Sequence, residues 1–446
     1  MNKTRIAIIG SGISGLAAGW LLRNTAEVSL FEAEARFGGH SHTFGVCEGG
    51  REIPIDTGFM VFNRPNYPLL SRLFDELGMR SYATDMSFSV SLDRGRLEYA
   101  GSSVGTLFAQ RSNLGRPTFW RMLGDILRFN RAARALLSDR SPDSGDCVGD
   151  FLDRHRLGER FRQDYLYPMA AAIWSCPRAA IAAFPARSFA RFFANHGLIN
   201  ISDRPQWQTL EGGSRAYVSR LVSDLGSAAR AASPVRAVRR SADGVELLLD
   251  DAGWLSYDHV VFACHADQAL RLLGDATPSE TAMLRSVPFQ SNRVLLHRDP
   301  ALMPVRRSVW SSWNYIDGSA RSGDEAVSVT YWMNSLQRLP TRSDYFVTLN
   351  PVRDPEPRSV IAEFDYHHPV FDMASLQLKS RLETVQGRRG TWFCGAWTGY
   401  GFHEDGMRSA VDVALKLGAS LPWEEQIQAS RALYPTRMPA YAAQQA

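Results

Sequence analysis

The feature that most constrains this chain is a set of three glycines between a short apolar segment and a longer one. Residues 5–22 read RIAIIGSGISGLAAGWLL, and Arg5–Ile9 has the composition of a strand buried on both faces. Gly10, Gly12 and Gly15 follow with the spacing G-x-G-x-x-G, and the apolar residues after them recur with helical period. A strand, glycine turn and helix in this order predict a parallel sheet that binds a dinucleotide.

Each glycine has a physical reason to be there. The first permits a tight turn, the second lets the backbone approach a diphosphate, and the third lets the helix pack closely on the strand. The helix start, which includes Ser14, offers free N–H groups to the phosphates. Val28–Phe31 predicts a second strand, and Glu32 follows it 22 residues after Gly10. An acid there accepts hydrogen bonds from a ribose 2′-hydroxyl and repels a 2′-phosphate, which disfavours NADP.

Composition narrows the class of protein. With 446 residues the chain exceeds the usual size of a single core, so we expect two domains. The 50 basic and 46 acidic residues nearly balance, which makes nucleic acid an improbable partner. Five scattered cysteines without a CxxC pair indicate a reducing compartment. We therefore expect a cytoplasmic protein, at most peripheral to the inner face of a membrane.

The segment after Glu32, FEAEARFGGHSHT, carries a resemblance to a known family. Its E-x(3)-R-x-G-G element, and the Asp-Thr-Gly turn that follows, resemble those of flavin-containing amine oxidases, protoporphyrinogen oxidases and phytoene-type desaturases. In that superfamily the element lies along FAD. The resemblance implies an α/β fold with a Rossmann-like FAD-binding domain and noncovalent FAD, held in this segment by Arg36, Gly38, Gly39, His40, Thr57 and Gly58.

The same resemblance extends to later segments. PVRAV at 234–238 and VELLL at 245–249 predict a hairpin whose Val235 contacts the adenine in relatives. Near the end, FCGAWTGYGFHEDGMRSA predicts a strand, a turn at Gly395 and a helix that starts at Gly406, capped by Glu404 or Asp405. The family places Gly406 and Met407 against the flavin ring. The chain departs from the family in having Ala396 where an acid often follows the glycine.

Pieces of the predicted FAD-binding domain alternate along the chain with segments that lack the Rossmann pattern. The latter suit a substrate domain with a mixed sheet and a helical cap. The predicted division is 1–85, 206–285 and 386–420 for the FAD-binding domain, 86–205 and 286–385 for the substrate domain, and 421–446 for a peripheral tail.

Several other residues invite chemical interpretations that we do not favour. His40 and His42 form an H-x-H pair, but no carboxylate or thiol cluster accompanies it, so we predict no metal. Cys176 has no base nearby in sequence, and we expect no nucleophilic role for it. Cys394 precedes the turn where amine oxidases attach flavin, so we predict noncovalent binding.

The catalytic prediction starts from a missing residue. Monoamine oxidases carry a lysine on a strand of the substrate domain, but this chain has no lysine between Lys3 and Lys379. Arg293 or Asn292 would take its place, and an arginine stays protonated. We predict His403 as the proton acceptor because it lies close to the predicted flavin helix. Weaker candidates are His196, Tyr366 and His367, and the predicted pocket residues are Trp174, Trp313 and Trp332.

Nearly the whole chain resembles a bacterial branch of amine-oxidase-like flavoproteins, through motifs such as DTGFMVFNRPNYP, AAIWSCP and WQTLEGGSRAYV. That branch is similar to the N-terminal region of plant cyclopropane fatty acid synthases. The resemblance implies a lipid substrate: hydride transfer to flavin N5 during desaturation, oxidation or isomerisation of an unsaturated or methyl-branched acyl chain. Two alternatives stay open, namely an amine oxidase and a non-catalytic flavoprotein partner of a lipid methyltransferase.

Residues 116–137 predict a basic amphipathic helix. Phe119, Leu123, Ile126 and Leu127 share one face, and four arginines (Arg121, Arg128, Arg131 and Arg134) lie largely on the other. Such a helix either contacts an anionic membrane surface or packs its apolar face on the core as an ordinary cap helix.

Overall fold

The fold is described from a computed structural model. It covers residues 3–139, 145–174, 178–200, 204–242, 244–317, 328–370 and 378–424. Cys176 and most of the predicted tail at 421–446 lie outside the described residues.

Strands occur throughout the chain and fall into five sheets. In chain order they are β1 (Arg5–Ile9), β2 (Glu27–Phe31), β3 (Thr43–Glu48), β4 (Arg51–Asp56), β5 (Ser81–Ala83), β6 (Phe88–Leu92), β7 (Leu97–Ala100), β8 (Gln208–Leu210), β9 (Ala229–Arg230), β10 (Val235–Arg240), β11 (Val245–Leu249), β12 (Gly253–Tyr257), β13 (His259–Phe262), β14 (Phe289–His297), β15 (Trp313–Asp317), β16 (Ser328–Trp332), β17 (Phe346–Leu349), β18 (Val360–Pro369) and β19 (Thr391–Phe393).

The helices are concentrated between β7 and β8. In chain order they are α1 (Ile13–Leu22), α2 (Pro68–Glu76), α3 (Val104–Leu107), α4 (Pro117–Ser138), α5 (Val148–Arg154), α6 (Glu159–Phe161), α7 (Tyr167–Trp174), α8 (Arg178–Ala182), α9 (Ala186–Asn195), α10 (Arg215–Leu225), α11 (Ala266–Leu272), α12 (Pro278–Arg285), α13 (Met333–Leu336), α14 (Leu378–Val385) and α15 (His403–Lys416).

A five-stranded parallel sheet forms the half of the structure that contains the glycine turn. Its order is β19-β13-β1-β2-β9, so it joins strands that are far apart in the chain. The central strand is fully buried at Ile6 and Ile8, which explains why β1 reads as continuous apolar residues. The sheet and its flanking helices confirm the predicted α/β class. β10, β11 and β12 form a separate antiparallel sheet, as the predicted hairpin requires.

A seven-stranded mixed sheet, of order β18-β14-β17-β16-β15-β6-β7, forms the other half. Because side chains alternate along a strand, the register defines two faces. We call the face with Asn292 and Val294 the inner face, and the face with Arg293 and Leu295 the outer face. Directly paired residues share a face, so the inner face continues across the sheet through Leu349, Val329, Tyr315 and Val90.

The inner face is covered by the helices and by the β3–β4 hairpin. Val90, Tyr315 and Val329 belong to the same apolar cluster as residues of α4, α7 and α9. Val294 belongs instead to a cluster with Ile53 and Ile55 of the hairpin. A binding site that includes both the glycine turns and the inner face would therefore lie between the sheet, the helices and those turns.

The basic amphipathic helix forms as α4, and it packs against α9. Phe119 is buried, and Leu123 and Ile126 are partly buried against the helical core. These three residues therefore pack on the core as the cap-helix alternative predicts. Leu127 is an exception, because it is 52% exposed. Among the described residues, no helix combines the length and the apolar character needed to cross a membrane.

Candidate functional site

The first glycine turn has the tight geometry that the motif predicts. Gly10 has a φ of +102°, and a Cβ there would lie 3.0 Å from the carbonyl oxygen of Ala263. A Cβ on Gly15 would lie 1.9 Å from the carbonyl oxygen of Gly10, so only glycine lets α1 begin so close to β1. A Cβ on Gly12 would meet nothing within 4 Å. The middle glycine therefore faces open space while the other two meet backbone.

Glu32 lies directly beside this turn. Its carboxylate accepts hydrogen bonds from the Ser11 backbone N–H at 2.9 Å and from the N–H of Glu34 at 2.9 Å. The strand β9 runs next to it: the Glu32 N–H donates to the Arg230 carbonyl, and Ser233 N–H donates to the Glu32 carbonyl. Val235 begins β10 two residues later. The structure thus brings Glu32 and Val235 to one end of the turn.

A second glycine pair lies against the first turn. Gly38 has a φ of +112° and its N–H donates to the Ser11 carbonyl at 3.1 Å. A Cβ on Gly39 would come within 3.3 Å of the Gly12 Cα. Arg36 fixes the pair by donating from Nη1 to the Gly39 carbonyl at 2.8 Å. The two glycine segments therefore form one continuous backbone cradle.

The Asp-Thr-Gly turn closes the cradle beyond His40. A Cβ on Gly58 would lie 2.1 Å from the His40 carbonyl oxygen, and the Thr57 N–H donates to the His42 carbonyl at 2.9 Å. Asp56 is buried, and it accepts hydrogen bonds from Ser214 and other neighbours. Burial raises the pKa of Asp56 to about 6. This carboxyl organises the turn rather than facing open space.

The last helix begins earlier than the sequence predicts. It starts at His403, so Gly406 is in its first turns and not at its start, which corrects the prediction. A Cβ on Gly406 would lie 2.9 Å from Ser14 Oγ, and Ser14 Oγ donates to the Gly406 carbonyl at 3.0 Å. Met407 is fully buried in the core. Gly406 thus lets α1 and α15 meet at their N-terminal ends, and Gly395 is tied to this helix because its N–H donates to Ser409 Oγ at 2.9 Å.

Of the two acids at the start of α15, Asp405 caps this helix as predicted, because it accepts from the N–H of the N-cap residue Phe402. Asp405 accepts from the N–H groups of Tyr400 and Phe402, which fixes the preceding loop. Glu404 accepts from the first amides of α2, at Leu69 and Leu70, both at 3.0 Å. Glu404 therefore caps a different helix from the one predicted. Burial raises the pKa of Glu404 to about 7.

These residues fit a dinucleotide such as FAD. No side chain caps the N-terminus of α1, and its first turn contains no acid, so the helix end is left for an anion. The open space at Gly12 adjoins that end, and the Glu32 carboxylate, an acceptor that a ribose hydroxyl could share, lies beside the turn. The cradle of Gly38, Gly39, Thr57 and Gly58 extends from there toward the start of α15.

A group of polar residues joins the cradle to the inner face of the seven-stranded sheet. The His40 ring lies 5.2 Å from the His368 ring and 6.0 Å from the His265 ring, measured between centroids. Asn292 donates from Nδ2 to His368 Nδ1 at 3.0 Å. Burial lowers the pKa of His265 and of His368 to about 4, so both are neutral near pH 7.

Asn292, not Arg293, occupies the inner face. It is fully buried, and its Oδ1 also accepts from Asn350 Nδ2 at 2.8 Å. Arg293 lies on the outer face, 46% exposed, where it forms ion pairs with Asp354 and Glu363. Because neighbouring residues of a strand point to opposite faces, Arg293 faces away from the cradle. The prediction of a catalytic role for Arg293 is therefore wrong.

His403 lies at the site but in surroundings that disfavour proton transfer. Its ring stacks on Phe59 at 3.8 Å, and its Nε2 lies 2.9 Å from Ser41 Oγ, which also bonds the Tyr217 hydroxyl. Burial lowers the pKa of His403 to about 3. An imidazole with so low a pKa is a weak base at neutral pH, so the predicted role of His403 as proton acceptor conflicts with its environment.

The three weaker catalytic candidates lie in different surroundings. Tyr366 is on the inner face, and its hydroxyl lies 2.7 Å from both His42 Nδ1 and Thr57 Oγ1. His367 points to the opposite face and is exposed near Asp365. His196 bonds the carbonyl of its own helix and stacks on Phe192.

The three predicted pocket tryptophans occupy three different environments. Trp174 is in the helical core, packed on four phenylalanine rings of which Phe192 is at 4.5 Å. Trp313 lies on the inner face, 4.8 Å from the Tyr331 ring. Trp332 instead bonds Asp344 and packs on Trp310. Trp313 alone of the three is placed by strand register on the inner face, whereas Trp174 and Trp332 are structural.

Sequence reasoning missed His265, His368 and the neighbour Asn350. His368 follows Tyr366 by two residues, so the alternation of a strand could have identified it. His265 and Asn350 come from separate segments, and no local sequence pattern indicates that they belong to the site. In the part of the chain that the structure describes, no three histidine, cysteine or acidic side chains are grouped as a metal site.

Comparisons with known proteins agree with this geometry. A family model described as flavin containing amine oxidoreductase matches residues 13–300. A carotenoid phi-ring synthase of Streptomyces griseus is 29% identical over 330 residues, which are 66% of this chain and 60% of the relative. The chain thus spans less than two thirds of that relative.

Two solved structures share the fold at low identity. A fatty acid isomerase from P. acnes that produces CLA has a TM-score of 0.66 and 16% identity, covering 93% of this chain and 99% of its own. Cyclohexylamine oxidase from Brevibacterium oxydans IH-35A has a TM-score of 0.66 and 17% identity, with the same coverages of 93% and 99%. These likenesses establish the fold and leave the substrate open.

Proposed function

Because the chain belongs to the flavin containing amine oxidoreductase family, and is therefore an FAD-dependent oxidoreductase, we propose that its substrate is an apolar lipid. The class we favour is an unsaturated or methyl-branched fatty acyl chain, which the enzyme would desaturate, oxidise or isomerise. FAD supplies a hydride acceptor at N5 when it is bound. The rest of the proposal concerns what the residues of this chain do around it.

The observation that carries the proposal is the neutral group around Asn292 on the inner face. Of the two residues expected to replace the lysine of amine oxidases, Asn292 is the one on the inner face, and its amide is already bonded to Asn350 and His368. The histidines next to it, His368 and His265, are held neutral, and farther along the same face Trp313 and Tyr331 are aromatic. At Asn292 this wall favours an apolar chain, because the amide and the neutral histidines beside it offer an ammonium group no charged partner.

The names of two relatives are consistent with this class. The carotenoid phi-ring synthase and the fatty acid isomerase are both named for apolar, unsaturated molecules. The cyclohexylamine oxidase has the same fold at similar identity, so the fold does not separate lipid from amine. The chemistry of the wall is what favours lipid.

In this proposal the residues fall into three roles. Gly12, Ser14 and the N-terminus of α1 bind the diphosphate, and Glu32 binds the ribose. Gly38, Gly39 and Thr57 hold the rest of the cofactor against the start of α15, where the helix dipole stabilises negative charge. Asn292 and Tyr366 position the substrate. Cys394 is fully buried and burial raises the pKa of its thiol, so noncovalent binding stays our prediction.

The test uses the purified flavoprotein without oxygen. It is mixed with unsaturated and methyl-branched fatty acids, and both the visible absorbance of the flavin and the lipid products are measured. Bleaching with a new double bond indicates desaturation, and a moved double bond without net bleaching indicates isomerisation. A parallel arm supplies putrescine and cyclohexylamine in air and measures peroxide. Turnover of amines and of no lipid would refute the proposal.

A matched pair of variants locates the reaction. Asn292→Leu should lower lipid turnover at least about tenfold if the amide positions the substrate, while Arg293→Gln on the outer face should leave it unchanged. Equal effects of the two would contradict the assignment of the inner face as the substrate wall.

A further inference from the structure

The surface around the start of α4 is unusually apolar. Among the described residues, nine large apolar side chains are exposed, and four of them fall between residues 104 and 127. They are Val104 at 75%, Leu114 at 53%, Trp120 at 50% and Leu127 at 52%. Isolated exposed apolar residues are ordinary, but four within a short segment require an explanation.

These four side chains form one surface. Trp120 Nε1 donates to the Leu114 carbonyl at 2.9 Å, which holds the indole over the 3₁₀ turn at Arg111–Gly115. Phe108 packs on Trp120 with ring centroids 5.1 Å apart. Val104 lies one helical turn before Phe108. Leu127 follows Trp120 by seven residues, which places it on the same side of α4. The indole is thus held outward by a defined contact.

Arginines surround this surface. Residues 104–138 contain six arginines and a single acid, Asp125, which is buried and paired with Arg128. Arg111, Arg121 and Arg131 are exposed, and no residue that the structure describes forms an ion pair with them. We call the four apolar residues and these three arginines the tryptophan–arginine patch. Its charge is uncompensated and points outward.

We propose that the tryptophan–arginine patch docks on an anionic lipid bilayer. Tryptophan, leucine and valine enter the boundary between headgroups and acyl chains, while arginines pair with lipid phosphates. A second copy of the chain fits poorly, because a symmetric contact would set the three unpaired arginines of one patch against the three of the other. The patch overlaps the amphipathic helix read from the sequence at Leu127, Arg121 and Arg131, but it is centred on Trp120, because Phe119 is buried. The inference does not rest on the lipid substrate proposed above.

The experiment is flotation of the full-length flavoprotein with lipid vesicles. One set contains phosphatidylcholine alone and the other contains phosphatidylcholine with phosphatidylglycerol. We expect the protein to float with the anionic vesicles only, and binding to weaken as salt rises toward the concentration that screens surface charge. Failure to float with anionic vesicles at low salt would overturn the proposal.

Two variants test the two components of the patch. Trp120→Ser with Leu127→Ser should reduce the partition coefficient by about tenfold or more, since both side chains are exposed in the free protein. Arg111→Gln with Arg121→Gln and Arg131→Gln should reduce it by about two orders of magnitude, near fivefold for each arginine. The amount of bound flavin and the thermal unfolding temperature should equal those of the unaltered protein, and this result would show that both variants fold.

Matched controls come from elsewhere on the surface. Trp254 is 39% exposed on β12, and Arg285, Arg342 and Arg358 are exposed arginines outside the patch. Trp254→Ser and the triple change of these arginines to glutamine should float like the unaltered protein. Equal loss in patch and control variants would refute a defined docking surface. A dimer in solution that Trp120→Ser dissociates would refute the bilayer and assign the patch to self-association.

Discussion

The glycine turn of α1 and the inner face of β14 contribute to the same site, yet they are specified in opposite ways. The residues that shape the turn lie mostly within a short segment, and the distant ones, Ala263 and Cys264, directly follow β13. The polar group on the inner face draws Asn292, Asn350 and His368 from three strands or their ends, and His40 from the cradle. The comparison teaches that the cofactor half is encoded locally and the substrate half by tertiary packing.

The largest expected effect separates two glycines of the same turn. Gly15→Ala forces a Cβ to within 1.9 Å of a backbone oxygen that cannot move aside, and we expect about 3 kcal/mol or more of lost stability together with loss of flavin. Gly12→Ala places its Cβ in open space at a φ of −62°. We expect less than about 1 kcal/mol from it, but weaker FAD binding.

The measurement is chemical unfolding of the flavin-free proteins, followed by titration with FAD. If Gly12→Ala bound FAD as tightly as the unaltered chain, the open space beside Gly12 would not be the diphosphate site. If Gly15→Ala kept both stability and flavin, the close approach of α1 to β1 would be wrong.

The start of α15 is the second place to test, because a buried acid there links two helices. Burial raises the pKa of Glu404 to about 7 from a usual value of 4.5. A raised pKa means that the folded state holds the proton more tightly, so this group's stabilising contribution is complete below pH 4.5 and is lost as pH rises through 7. We expect a loss of about 3 kcal/mol across that window.

Glu404→Gln cannot titrate, so it supplies the reference. Although it exchanges one acceptor oxygen for a donor, that change is independent of pH, and only the slope matters. The difference in unfolding free energy between the two proteins should therefore vary between pH 4.5 and 8. Parallel curves would show that Glu404 is ionised in both states.

Sequence reasoning recovered the first region almost completely. β1, the glycine turn, Glu32 and the second glycine pair were all readable because a spacing of a few residues carries their chemistry. At α15 the predicted start of the helix, Gly406, is three residues too late. The helix begins at His403 because Asp405 accepts hydrogen bonds from the loop that precedes it. On β14 the choice between Asn292 and Arg293 depended on which face is covered, and coverage comes from β3–β4 and the helices. The sequence position of His403 suggested a proton acceptor, but burial against Phe59 makes its imidazole a weak base.

The inner face itself is tested by Asn292→Ala. Removing the amide leaves Asn350 Nδ2 and His368 Nδ1 without their partner in a partly buried position. Each buried polar group without a partner costs roughly 1–3 kcal/mol, so we expect about 2 kcal/mol of lost stability. Urea unfolding of Asn292→Ala, Asn350→Ala and the double variant measures the coupling. Additive effects would show that the two amides act independently and that the group is not a connected network.

The smallest expected effect comes from the residue one position away. Arg293 forms two ion pairs, with Asp354 and Glu363, but all three side chains are at least 46% exposed, so solvent screens the attraction. Exposed ion pairs contribute about 0–1 kcal/mol each, and Arg293→Gln keeps much of the packing. We expect a loss below about 1 kcal/mol that shrinks further at high salt, with flavin binding unchanged. A loss of stability as large as that of Asn292→Ala would mean that the two faces of β14 contribute equally to stability. Burial could then not explain why the two regions of the site are specified differently.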